Sequence, residues 1–440
     1  MNAQARNRPS RQPETATITD ISHEGRGVAH VDGKTVFIDD ALPGEVVEWQ
    51  RLKRNRNFDE GRLVRVIEPA PDRIEPRCVH FGVCGGCVLQ HLSGERQLEF
   101  KQRQLTEALA RIGKVSPDEI LPPLQAGVWN YRRRARLAAR WVPKKNRTVV
   151  GFRERSTPYI TDLKRCEVLQ PPTDRLIEPL SELITALSVR NRVPQIEVAV
   201  ADNAVALVIR VLESLTDADL ELIRQFGRTH SVQMFLQPGG YETVAPLEPV
   251  APLEYRLPAF DVTLQFQPTD FVQVNGPLNQ QMIERAVTLL APTPSDRVLD
   301  LFCGLGNFSL PLARRAGQVV GVEGEAGLVA RARANAERNG LANAQFFTAN
   351  LADESIASAS WAGKFDKVLL DPPRAGAKEV LPVVAKSGAG TVLYISCHPG
   401  SLARDAGILV HEHGYKLRSA GVMDMFPHTA HVESIALFTQ

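Results

Sequence analysis

From Phe266 onward the chain alternates short apolar runs with helical segments, and no other feature restricts its fold as much. The strand-like runs are 297-RVLDLF-302, 318-QVVGVE-323, 344-AQFFTA-349, 366-DKVLLD-371, 391-TVLYIS-396 and 434-SIALFT-439. Helical segments lie between them, such as 326-AGLVARARANAERNG-340. Strands that alternate with helices build a doubly wound sheet, whose sites lie at the carboxyl ends of its strands.

The front of the chain follows a different pattern. Residues 1–13 are polar and basic and are expected to be a disordered tail. Residues 14–69 hold short alternating runs, 16-ATITDI-21, 28-VAHVDGKTVFI-38, 45-EVVEW-49 and 61-GRLVRVI-67, joined by glycine-rich turns. Four or five such strands fit a small barrel of OB type, a shape suited to single-stranded RNA. The proline-rich stretch 69-PAPDRIEP-76 reads as a linker. Residues 94–112 predict a helix with Leu98, Leu105, Leu109 and Ile112 on one face. Residues 121–262 read as β-rich, with a hairpin around Asp202-Asn203, a strand at 232-VQMFL-236 and a helix at 217–227.

Charge narrows the partners. The chain has 440 residues and a net charge of only +2, yet residues 131–155 carry ten Lys or Arg against one acid, Glu154. A second basic stretch is 51-RLKRNR-56. Clustered cations imply a polyanion, most simply nucleic acid; the competing reading is a solvated charged face. No apolar run reaches the roughly 18–20 residues that span a bilayer, and the N-terminus lacks the apolar stretch of a signal peptide. A cytoplasmic, reducing location without membrane contact is expected, so the six cysteines are available for metal binding or catalysis.

Four of those cysteines suit a metal cluster. Cys78-x5-Cys84-x2-Cys87 lies in 78-CVHFGVCGGC-87 with Gly82, Gly85 and Gly86, and Cys166 follows in 164-KRCEVL-169. Glycines let backbone wrap closely around sulfur, so the pattern predicts iron–sulfur ligation. In 299-LDLFCGLGNFSLPLA-313 a strand ends at Asp300, and Gly304 and Gly306 open a turn into a helix near Asn307. Ser309 stands where a dinucleotide fingerprint needs its third glycine. Glu323 ends the next strand, where an acid can hold both ribose hydroxyls. The combination resembles the S-adenosylmethionine site of class I methyltransferases. Cys303, beside that loop, reads as packing. In 368-VLLDPPRAG-376, Asp371 ends a strand before two prolines. Arg374 stands where amino-methyltransferases carry an aromatic to stack on the base, which argues against N-methylation. Cys397, in 393-LYISCHPGSL-402, also ends a strand and is followed by His398 and Pro399. Glu433 precedes the last strand in 428-HTAHVESIALF-438.

One reaction uses all of these parts. Uracil C5 becomes nucleophilic only after a thiolate adds to C6, and a base must then remove the C5 proton. Cys397 fits the nucleophile, Glu433 the base, and the Gly304–Glu323 region the methyl-donor pocket. The thiol needs its pKa lowered, for which His398 is a candidate.

With these motifs, the chain resembles the bacterial RNA (uracil-5-)-methyltransferases over residues 15–440. It is most similar to the ribosomal branch that carries both a TRAM domain and a cysteine cluster. D-L-F-C-G-x-G-N-F, D-P-x-R-A-G, S-C-x-P and the terminal H-V-E carry the resemblance. It implies a TRAM domain at 14–69, a central β-rich iron–sulfur domain at 70–93 and 121–262, and a Rossmann-like methyltransferase domain at 94–120 and 263–440. It implies a 4Fe–4S cluster on Cys78, Cys84, Cys87 and Cys166, structural or RNA-positioning because the reaction moves no electrons. Gln273, Phe302, Asn307, Glu323, Asn350 and Asp371 would line the S-adenosylmethionine site, with Cys397 as nucleophile and Glu433 as proton acceptor. The expected partner is 23S ribosomal RNA, free or partly assembled, met by a monomer. Competing readings are methylation of another RNA or of cytosine C5, an iron–sulfur RNA-binding factor, and a radical enzyme. The last is disfavoured by the x5 spacing and by the fourth cysteine.

Overall fold

The structure is a computed structural model that describes residues 12–353 and 359–440, so all but the last two residues of the expected N-terminal tail lie outside the described residues. The chain forms two compact units. The first comprises Met1–Lys101, Phe152–Thr161 and Phe426–His431; the second comprises Gln102–Gly151, Asp162–Met425 and Val432–Gln440.

In the first unit, six strands pair in the order Glu14–Thr17, Val46–Arg54, Phe58–Glu68, Lys34–Asp39, Gly27–Val31, Asp20–Ile21. The two edge strands of this sheet are consecutive in the chain, with only Ile18 and Thr19 between them. The ribbon therefore closes on itself. Ile18 N–H donates to Glu45 O and Thr19 N–H to Val28 O, which completes the ring. Alternate residues point inward, and Ile18, Ala29, Val36, Ile38, Val47 and Trp49 fill the barrel. Gly61 lies flat under Trp49: a Cβ there would come within 2.3 Å of the indole ring, so only glycine fits.

The second unit holds two large sheets. One contains the expected hairpin, Gln195–Val200 against Val205–Arg210, flanked by Arg134–Val142 and Gln233–Gln237. The other has eight strands, in the order Ala344–Thr348, Gln318–Glu323, Arg297–Leu301, Lys367–Leu370, Thr391–Ser396, Glu433–Thr439, Lys416–Met423, Glu119–Ile120. Its first five strands are mutually parallel. Val298, Leu299, Val320, Val322, Val368 and Leu370 are fully buried, as strands covered on both faces require. The chain steps from Arg297–Leu301 outward to Ala344–Thr348, then crosses back to Lys367–Leu370. That reversal makes a crevice between the carboxyl ends of 297–301 and 367–370.

Two strands of this sheet have no clear sequence pattern. Lys416–Met423 is interrupted by a bulge between Leu417 and Ser419 and by small residues. Glu119–Ile120 is only two residues long and pairs with a strand some 300 positions later. The helix predicted for 94–112 is α-helical over Gly94–Ala108 and then widens into a π turn over Leu109–Gly113. Leu105 and Leu109 join the core beneath Leu402, Ala403 and Ala406. Ile112 does not: the wider turn rotates it off the apolar stripe, and it is 56% exposed.

Six of the ten cations in the basic run at 131–155 are paired with acids. Arg133 pairs with Asp202, Arg134 and Arg136 with Glu197, Lys145 and Arg147 with Asp162, and Arg155 with Asp40. On the barrel, Arg51 is held by Glu14 and Asp59, while Lys53, Arg54 and Arg56 are exposed beside Leu52 and Phe58. Among the described residues, no helix is long and apolar enough to cross a membrane.

Candidate active site

The parallel strands deliver their carboxyl ends to one edge of the eight-stranded sheet. Asp300, Glu323, Asp371 and Cys397 sit at or just beyond those ends. The strand Glu433–Thr439 runs antiparallel to Thr391–Ser396, so its first residue arrives at the same edge. Ser396 pairs with Ser434 as the last pair of that ladder; Cys397 follows the first of these and Glu433 precedes the second, and the charge of Glu433 acts on the Cys397 thiol. Ser434 Oγ donates to Ser396 O at 3.2 Å, which pins that register.

The loop after Asp300 is tightly bent. Phe302, Gly304 and Gly306 all have positive φ, at 66°, 55° and 97°. At Phe302, a bulky residue, this is a strained conformation held by its surroundings. Phe302 N–H donates to Val322 O at 2.9 Å. Glu323 braces the loop: one carboxylate oxygen accepts from Gly304 N–H at 3.1 Å, and the other from Gly324 and Glu325 N–H at 2.7 and 3.1 Å. Asn307 is locked in a reciprocal amide pair with Asn279, 3.0 Å each way, and accepts from the Tyr255 hydroxyl at 2.9 Å. Asn279 lies in the first turn of helix Gly276–Leu290, whose cap is Asn275. The sequence singled out neither Asn279 nor Tyr255; their partner is close in space and carries no local signal.

The remaining predicted residues fall as follows. Gln273 is half-buried in the extended segment that leads into that helix. Asn350 is exposed on the turn after Ala344–Thr348, where its side chain accepts from Ala352 N–H at 3.1 Å. Cys303 is buried, and a Cβ on Gly321 would come 3.0 Å from its sulfur, which fits its reading as packing. His398 caps helix Pro399–His411: its Nδ1 accepts from Ser401 N–H at 3.2 Å. That bond uses the ring nitrogen as an acceptor, so His398 shapes the turn.

Electrostatics are governed by burial of like charges. Burial pushes the Asp300 carboxyl up to about 7, with the negative charges of Asp371 and Glu323 adding to the effect and the Ser309 hydroxyl opposing it. Burial likewise pushes Asp371 up to about 7. Glu433 is held well above the usual carboxylate range, first by burial and then by Asp371. Burial pushes the Cys397 thiol up to about 11; Glu433 and Asp371 push it the same way, and Arg374 pulls it back. A row of acids, Asp300 and Glu433 buried and Glu323 and Asp371 half-buried, with one thiol among them favours a cationic ligand at this edge.

The Cys78–Cys87 segment lies in the first unit and is wound by turns: Phe81 N–H donates to Cys78 O at 3.0 Å and Cys84 N–H to His80 O at 2.9 Å. Gly86 N–H donates to the Cys84 sulfur at 3.4 Å. The Cys84 thiol is raised by burial, eased by the Gly86 bond, and also senses the charge of Cys78. Nearby His91 is fully buried, its ring 5.1 Å from Phe81, and neither ring nitrogen has a hydrogen-bond partner. Cys166 is buried in the second unit, where its N–H donates to Asp174 O at 3.1 Å. Among the described residues, no group of three or more His, Cys, Asp or Glu stands at metal-binding geometry. The donor chemistry nevertheless suits soft iron–sulfur ligation: thiols on one turn-rich segment, a backbone N–H aimed at sulfur, and an orphaned buried imidazole beside them.

A doubly wound sheet with a bent glycine loop and a strand-end acid at its crevice defines a class I methyltransferase. Comparison with known proteins carries this further. The profile of the tRNA (Uracil-5-)-methyltransferase family matches residues 254–440, and that of the TRAM domain matches residues 10–64. The 23S rRNA (uracil(1939)-C(5))-methyltransferase RlmD of Xanthomonas campestris pv. campestris is 53% identical over 440 residues, 99% of each chain. The enzyme of the same name from Stenotrophomonas maltophilia is 52% identical over 99% of each chain. Among solved structures, the tRNA (uracil-54, C5)-methyltransferase of Pyrococcus abyssi in complex with S-adenosyl-L-homocysteine superposes with a TM-score of 0.74 at 25% identity, covering 97% of this chain and 100% of that one. The chain belongs to the family of RlmD-type RNA (uracil-C5)-methyltransferases.

Proposed function

We propose that this protein methylates C5 of a uridine in 23S ribosomal RNA, the one that its relatives' names number 1939, with S-adenosylmethionine as donor. The observation that supports the mechanism is that Cys397 and Glu433 each adjoin the final ladder pair, Ser396 and Ser434, at the sheet's carboxyl edge. Gln273, Phe302, Asn307, Glu323, Asn350 and Asp371 bind the donor, Glu323 through its ribose hydroxyls. The donor supplies an electrophilic methyl group, and its positive charge suits the acid row.

Cys397 releases its proton to solvent and its sulfur bonds to C6, so that the electron pair of the C5–C6 double bond passes into an enolate. C5 takes the methyl group. Glu433 then accepts the C5 proton, the double bond re-forms, and Cys397 leaves as thiolate. A carboxyl held well above its usual range is a strong base once ionised, which suits that task. Exposed Lys53, Arg54 and Arg56 on the barrel offer phosphate contacts that hold RNA while the base leaves its stack. The reading includes a cytoplasmic monomer that meets its RNA free or partly assembled.

Labelled S-adenosylmethionine incubated with naked 23S RNA, assembled large subunits and cytosine-only transcripts tests this. Label is expected as 5-methyluridine at one site of naked or partly assembled RNA. Transfer to cytosine alone, or none to any RNA, would overturn it.

We further propose that Cys78, Cys84, Cys87 and Cys166 hold a 4Fe–4S cluster with a structural or RNA-positioning role. Soft thiol donors and the Gly86 N–H on the Cys84 sulfur support it. Protein purified without oxygen should contain iron and sulfide in equal amounts, and Cys84→Ser should lose both; protein that folds and binds RNA free of iron would refute the cluster.

A further inference from the structure

The loop carrying Asp371 and Arg374 is gripped by the helix that begins beside Cys397. Asp405 on helix Pro399–His411 is fully buried. One of its oxygens accepts from Ala377 N–H at 2.7 Å and from the Tyr394 hydroxyl at 2.6 Å. The other takes Arg404 Nε at 2.8 Å and Nη2 at 2.7 Å. Arg404 Nη2 reaches on to Ala375 O at 2.8 Å. The pair thus holds the loop at residues 375 and 377, either side of Gly376. Gly376 has φ of 90°, and a Cβ there would come 2.5 Å from Arg404 Nη2 and 2.6 Å from Asp405 Oδ2. The turn is closed by Gly376 N–H donating to Pro373 O at 2.8 Å. Arg374 lies inside that turn, exposed at its far end.

We propose that the Arg404–Asp405 pair is a positioning element of this active site, which fixes the 371–376 loop so that Arg374 faces Cys397. This rests on reading Cys397 as the nucleophile. The charged groups that act on the Cys397 thiol come from two elements: Glu433 from the last strand, Asp371 and Arg374 from the loop. Among the neighbouring charges Arg374 is the one that favours the thiolate, beside a backbone hydrogen bond at Cys397 itself, and it can do so only while the loop is held. A buried acid that merely needed satisfying has that already from Tyr394 and Arg404; its bond to Ala377, and Arg404's to Ala375, fall on the loop itself.

The test is the pH profile of Cys397 alkylation by iodoacetamide, read from the mass of its peptide, with no RNA present. Arg404→Ala is expected to move the profile upward by about one pH unit, a tenfold loss of thiolate at fixed pH. It should lower kcat by a similar factor. Arg374→Ala should do the same, and the double variant should be no worse than Arg374→Ala alone, since both act through one cation. Arg404→Lys, which keeps the charge but not the planar fork, should fall between. Arg404 is partly exposed, so its variants should fold; Arg404→Gln serves if the alanine variant does not. An unchanged profile, or additive effects in the double variant, would overturn the proposal. Alkylation reads the thiol's surroundings alone, so a failure here is distinct from failure of the methyltransferase reading, which Cys397→Ala decides.

Discussion

Cys397→Ala is expected to abolish methyl transfer, with kcat falling by at least about 10⁴-fold. Without sulfur at C6 there is no enolate, and C5 is too poor a nucleophile to take the methyl group by another route. Binding of the donor should be unchanged, because Cys397 lies at the ladder's edge and holds no part of the 302–307 loop or Glu323. RNA containing 5-fluorouridine provides the direct readout. Fluorine cannot leave as the proton does, so the wild-type protein should form an adduct that survives denaturation. The alanine variant should form none. A surviving adduct would identify another nucleophile; among the remaining cysteines Cys303 is the one beside the donor loop, where burial holds its thiol well above the ordinary range.

Glu433→Gln is expected to stop the reaction one step later. Methyl transfer still occurs, but C5 then keeps both methyl and proton, the double bond cannot re-form, and sulfur cannot leave. Turnover should fall by about 10²–10⁴-fold, the usual worth of a positioned base. Methylated RNA should remain covalently attached, visible as a shifted band on a denaturing gel with natural uridine. Normal release of methylated RNA would remove Glu433 from the mechanism. Stability separates lost chemistry from lost folding. The Glu433 carboxyl is raised in the folded state, so its contribution is present below its unfolded value of about 4.3 and declines as pH rises toward its folded value. Glutamine carries no such dependence, so near pH 8 the variant should melt no lower than the parent.

Much of this site was legible because it rests on periodic strands. Asp300, Glu323, Asp371 and Cys397 each end an apolar run, and in a parallel sheet all such ends meet at one edge. The sequence alone could not pair Asn279 and Tyr255 with Asn307, or Asp202 and Glu197 with the arginines at 133, 134 and 136. Those partners are brought together by tertiary contacts across tens of residues and follow no period. The strand Lys416–Met423 was hidden by its bulge and its small residues. Ile112 was misplaced because a π turn looks like an α-helix in a hydrophobic pattern. Composition gave the charge of the 131–155 run but could not show that six of its cations fold against acids.

The hydrogen bonding between the last two strands of the active-site edge has a bearing on how this enzyme can vary. Side chains along a strand alternate between faces, so a shift of a single position between 391–396 and 433–439 would turn Glu433 away from the sulfur. Insertions in the surface segments joining those strands leave the pairing untouched, whereas one residue inserted between Glu433 and Ser434 would, on the proposed mechanism, separate proton removal from carbon–sulfur bond formation while the protein still folded.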